Sequence, residues 1–137
     1  MLSLCGAVEE GSPAGALNGP SQWVWGEHEA RMRRATIRHT AVGYVIHHCS
    51  SVFWAALHEW AFGRKGKRVP RMCLDAALTS AGAYFVDYYI APKRLRPGFR
   101  KHLSPGAILA SYAAFAAGLA AVAVARGAFD ERAAPHR

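Results

Sequence analysis

From residue 103 to residue 125 the alternation of polar and apolar positions gives way to a single apolar run. These 23 residues, LSPGAILASYAAFAAGLAAVAVA, contain no charged residue and no histidine. At about 1.5 Å per residue such a helix covers a hydrocarbon core of about 30 Å. Two further apolar segments precede it, at about 40–62 and 72–91. The first stops at Gly63, a helix terminator, and the second lies between Pro70 and Pro92. The third opens with Ser104 at the N-cap and Pro105 at the first helical position. Three apolar helices joined by short loops predict an all-α integral membrane protein with an up-down-up three-helix bundle.

The flanks are organised differently. Residues 1–22 are rich in Gly, Ser, Pro and Ala without periodicity, which predicts a disordered N-terminal extension over 1–26. From Glu27 onward, Glu27/Arg31 and Glu29/Arg33 fall at i,i+4 and predict a solvated helical turn entering the helical membrane domain, 27–126. Residues 127–137 read as a polar tail. Met32, followed by Arg33 and Arg34, has the context of a start codon, which makes 1–31 a candidate extension of the gene. No signal peptide is visible, so the first span is expected to serve as its own targeting signal.

Segment two is the weakest span. Asp75 and Asp87 leave only 11 uncharged residues between them, and an aspartate at a bilayer centre costs roughly 2.5–3.5 kcal/mol. Both lie near the segment ends, where water is close. A re-entrant second segment is the alternative, since it would place both basic loops on one side of the membrane.

Projected at 100° per residue, segments one and two each split into an apolar and a polar face. In the first, Thr40, Tyr44, His47, His48, Ser51, Ala55, His58 and Glu59 share a side. In the second, Asp75, Ala76, Thr79, Ser80, Ala83 and Asp87 do. Packing stripe to stripe around a turn centred near Lys67 predicts two polar layers. One holds His58, Glu59 and Asp75, the other His47, His48 and Asp87, separated by 12 residues, about 18 Å. In segment three Gly106, Ala110, Ala114 and Gly118 recur every four residues, a small-residue row that lets another helix approach closely, within the chain or in a homo-oligomer.

Interhelical His–Asp hydrogen bonds that fix a hairpin account for both layers without any activity. The same residue types offer two or three N/O ligands for Zn²⁺, Mn²⁺ or Fe²⁺, although neighbours such as His47 and His48 diverge by 100° on a helix. Haem ligation by two histidines would need a second protomer, or His102 from its loop. A proton path is the third alternative, with Ser51, Thr79 and Ser80 between the layers. Ser50 and Ser51 beside His47 lack a glycine-rich elbow or an oxyanion-hole motif. No phosphate loop, dinucleotide fingerprint or HExxH occurs, so no catalytic residue is assigned.

The net charge of +8 changes little in this setting. Ten of the 17 basic residues lie in two loops, 64–71 and 93–101, which flank apolar segments and suit anionic lipid headgroups. Neither loop interleaves aromatics for base stacking, and no nucleic-acid partner is expected. Cys5, Cys49 and Cys73 show no paired spacing. The stretches HHCSSVFWAALHE (47–59) and DYYIAPKRLRPGFRKHLS (87–104) resemble small multi-pass proteins of proteobacterial inner membranes. The likeness covers roughly 37–125. It implies a bacterial inner-membrane location, with a structural or accessory role among other membrane proteins, and carries no activity or cofactor.

Overall fold

The computed structural model describes residues 1–28, 31–64, 66 and 68–133, without the side chains of residues 131 and 133. It is all-helical, with no strand among the described residues. Three short helices come first: α1 (Leu2–Glu10), α2 (Gly15–Asn18) and α3 (Gln22–Trp25). Three long ones follow: α4 (Val42–Phe62), α5 (Val69–Phe85) and α6 (Pro105–Ala133). A wide π turn, Ile37–Ala41, leads into α4, and another, Val86–Ile90, extends α5.

The long helices start and stop for local reasons. Thr36 is extended and accepts the His39 N–H, so α4 begins abruptly rather than growing out of a helical turn at Glu27. Pro70 sits inside the first turn of α5, where its missing N–H costs nothing, and α5 therefore starts earlier than residue 72. Ser104 Oγ accepts the Ala107 N–H at 3.2 Å and caps α6, which runs on through residues expected to form a polar tail. The expected turn centre at Lys67 and the Glu29/Arg33 pair involve residues outside the described ones.

The N-terminal region is not the disordered extension its composition predicts. Residues 1–25 fold into α1–α3 and dock on the start of α4 and on the 93–103 loop. Hydrogen bonding by buried amides, together with a small apolar cluster, holds them in place. Asn18, fully buried, donates to the carbonyls of Met32 (2.6 Å) and Arg34 (3.1 Å) and accepts from Thr40 Oγ1 (2.7 Å). Gln22 donates to the Arg96 carbonyl and accepts from Lys101 Nζ at 2.8 Å. Partial burial holds that ammonium below the ordinary lysine value. Around these contacts lies an apolar cluster of Leu2, Ala16, Tyr88, Phe99, Leu103 and Ile108. The apolar core thus sits in this cap, at one end of the long helices.

α5 is the central element. α4 and α6 each pack on it, antiparallel to it, with α5 against α6 the broadest contact. The buried face of α5 is Asp75, Ala76, Thr79, Ser80 and Ala83, the polar stripe of the sequence. On α6 the inward residues include Ile108 and Tyr112, whose backbone carbonyl accepts Ser80 Oγ at 2.7 Å. The row Gly106, Ala110, Ala114, Gly118 is not the intrachain packing row. A Cβ added at Gly118 would meet nothing within 4 Å, and at Gly106 only Ser104 Oγ at 3.8 Å. The bulkier neighbouring row wins because it fills the space over α5.

Candidate functional site

Residues of α4, α5 and α6 line two separate cavities, one towards each end of the bundle. The cavity far from the cap, about 400 Å³, is lined by His58, Glu59 and Asp75, together with Arg64, Arg126 and Asp130. His58 is buried and its Nδ1 lies 2.8 Å from Thr79 Oγ1. The Thr79 hydroxyl donates to the Asp75 carbonyl (3.0 Å), so Nδ1 must carry the proton in the His58–Thr79 bond. His58 therefore engages α5 one helical turn beyond Asp75, which keeps the same face. Asp75 is paired with Arg71 at 3.0 Å across one turn of α5. Glu59 is exposed and its carboxylate forms an ion pair with Arg126 of α6, a partner the helical projections did not anticipate.

The second cavity, about 430 Å³, lies beside the cap. His47 projects into it from α4 and Asp87 from the end of α5. His48 does not join them. It is exposed and stacks on Tyr44, with ring centroids 5.7 Å apart and planes 12° apart, because adjacent residues diverge by 100° and only one can face inward. The layer His47/His48/Asp87 is thus reduced to His47 and Asp87, and α6 adds Tyr112. The Tyr112 hydroxyl donates to Asp87 Oδ2 at 2.5 Å, which fixes the orientation of the carboxyl group. Tyr112 also meets Tyr84 edge-on at 5.3 Å, and His47 meets Phe99 edge-on at 5.7 Å. Ser51 Oγ donates back to the His47 carbonyl (2.9 Å) and Ser111 Oγ to the Ala107 carbonyl (2.9 Å). Those hydroxyls are therefore satisfied within their own helices.

Tyr112 could have been singled out, since Ser111-Tyr112 is the one polar pair inside the apolar run 105–125. Trp54 and Phe115, which complete the walls, read as ordinary apolar positions and carried no signal. Among the described residues no group of three or more His, Cys, Asp or Glu converges as a metal site. No protein-family model, no curated protein and no solved structure matches the chain.

α6 is the one described helix long and apolar enough, by length and composition, to cross a membrane: its stretch Pro105–Asp130 has 26 residues, of which the most apolar part is mostly unburied.

Proposed function

We propose that the chain is a small multi-pass membrane protein in which α4, α5 and α6 all cross the bilayer and the polar seam on α5 holds them together. The observation that carries this is the inversion of the bundle. Asp75 is 1% exposed and Ser80 4%, whereas Trp60 is 83%, Phe53 61% and Leu109 66% exposed. Water would penalise that arrangement through its many exposed large apolar side chains, while lipid favours it on both counts. α4 contains three histidines and Glu59, and α5 has only 17 residues with Asp75 on its inner face, which is why α6 alone of the described helices is long and apolar enough to span by itself. The role is structural or accessory, and the resemblance of 47–59 and 87–104 to proteobacterial proteins favours a bacterial inner membrane.

Cys49 and Cys73 test the reading, since both lie on exposed faces, of α4 and α5. Lipid around both helices would leave Cys49 unreactive toward a membrane-impermeant maleimide applied to both sides of intact vesicles, and reactive after SDS. Rapid labelling of Cys49 before SDS would restrict the membrane contact to α6 and overturn the multi-pass reading.

A further inference from the structure

We infer that the cavity beside the cap is a binding site for a neutral, flat lipid with hydrogen-bonding oxygens on its ring, of the quinone/hydroquinone class. The inference rests on the membrane reading in one respect only, the route by which the ligand arrives. The first observation is what the cavity leaves unsatisfied. Neither ring nitrogen of His47 has a hydrogen-bond partner among the described residues, and Asp87 uses Oδ2 alone, toward Tyr112. Two polar groups from different helices thus face a shared space of about 430 Å³ with capacity to spare, although serines nearby close onto their own backbones.

The walls select the ligand. Trp54 of α4 and Phe115 of α6 offer flat apolar surfaces, and ligand pockets of this size pair such walls with few convergent polar groups. Among the described residues no lysine or arginine lines the cavity, so an anionic headgroup such as a phosphate or fatty-acid carboxylate would meet Asp87 without a lysine or arginine beside it. A ring oxygen can accept from a His47 N–H, and a ring hydroxyl can donate to Asp87 Oδ1. Tyr44 of α4 and Ala114 of α6 line the cavity and are exposed, so it is open at a rim shared by those two helices. A ligand dissolved in the bilayer would enter there.

The test is a titration of the purified full-length protein in dodecylmaltoside with decylubiquinone, read as tryptophan fluorescence. Saturable quenching at one equivalent per chain is expected. It should be absent in Trp54→Phe and shifted at least tenfold in apparent Kd in His47→Leu and in Tyr112→Phe, the latter losing only a hydroxyl. Circular dichroism of each variant separates loss of the site from loss of the fold. Quenching that rises linearly and equally in all variants would be partition into the micelle and would overturn the site. Saturation by palmitate with none by decylubiquinone would overturn the ligand class. Because the titration is done in detergent, its failure leaves the Cys49 labelling result standing, and failure of that labelling leaves the titration interpretable.

Discussion

A single exposed carboxylate joins the cap to the longest helix. Glu9 accepts both the backbone N–H of Ser104 (2.8 Å) and its hydroxyl (2.5 Å), and thus places a negative charge at the N-terminus of α6. The Ser104 hydroxyl and backbone N–H hold the Glu9 carboxyl below its ordinary value of 4.5. A carboxylate with a folded value below its unfolded one stabilises the fold fully above the unfolded value and loses that contribution as pH falls through the folded one. Glu9→Gln is therefore expected to lower the midpoint of thermal unfolding in detergent at pH 7. The difference from the wild type should shrink once the pH drops below about 4.5 and vanish at more acidic values. A difference that stayed constant from pH 7 to pH 3 would show that Glu9 acts through packing and not through charge.

At the scale of elements, the junction between α2 and α4 depends on the absence of one side chain. A Cβ at Gly43 would stand 2.0 Å from the Leu17 carbonyl oxygen, a backbone atom that cannot rotate away. Gly43→Ala should thus separate the cap from α4 and cost at least about 2 kcal/mol, the scale of overpacking in a tight interface. Limited proteolysis reads it directly: cleavage within residues 1–28 should accelerate several-fold while α4–α6 stay intact. The same junction explains what the sequence could and could not reveal. Periodicity exposes apolar and polar faces, so the three long helices, the Ser104 cap and the inward stripe of α5 were legible. It is blind to a segment held by amides, such as Asn18 and Gln22, that bond to carbonyls 14 to 74 residues away in the chain. It is equally blind to which of two adjacent histidines turns inward, because a rotation of α4 by less than one residue decides between His47 and His48. The third wall of the cavity depended on α6, whose uniform apolar sequence hides the face that carries Tyr112.

On the scale of the molecule, the cap gathers the start of α4, the end of α5 and the start of α6 at one end, and the α4–α5 turn and the end of α6 lie at the other. Residues 31–38 and 93–101 put nine basic residues at the cap end. Several are held by the fold: Arg94 donates to the carbonyls of Trp23 and Val24, and Lys101 to that of Glu27. A folded cap that carries this charge is the harder end to translocate, which places it in the cytoplasm if all three helices span. The N- and C-termini must then lie on opposite sides. Reporters fused at each end should behave oppositely, with alkaline phosphatase active only at the C-terminus and green fluorescent protein fluorescent only at the N-terminus. Fluorescence at both ends would mean an even number of crossings. Since α6 is the one described helix long and apolar enough to span by itself, such a result would assign α5, with its buried Asp75, to a re-entrant path. The polar seam would then line a surface reached from the cytoplasm instead of the interior of a spanning bundle.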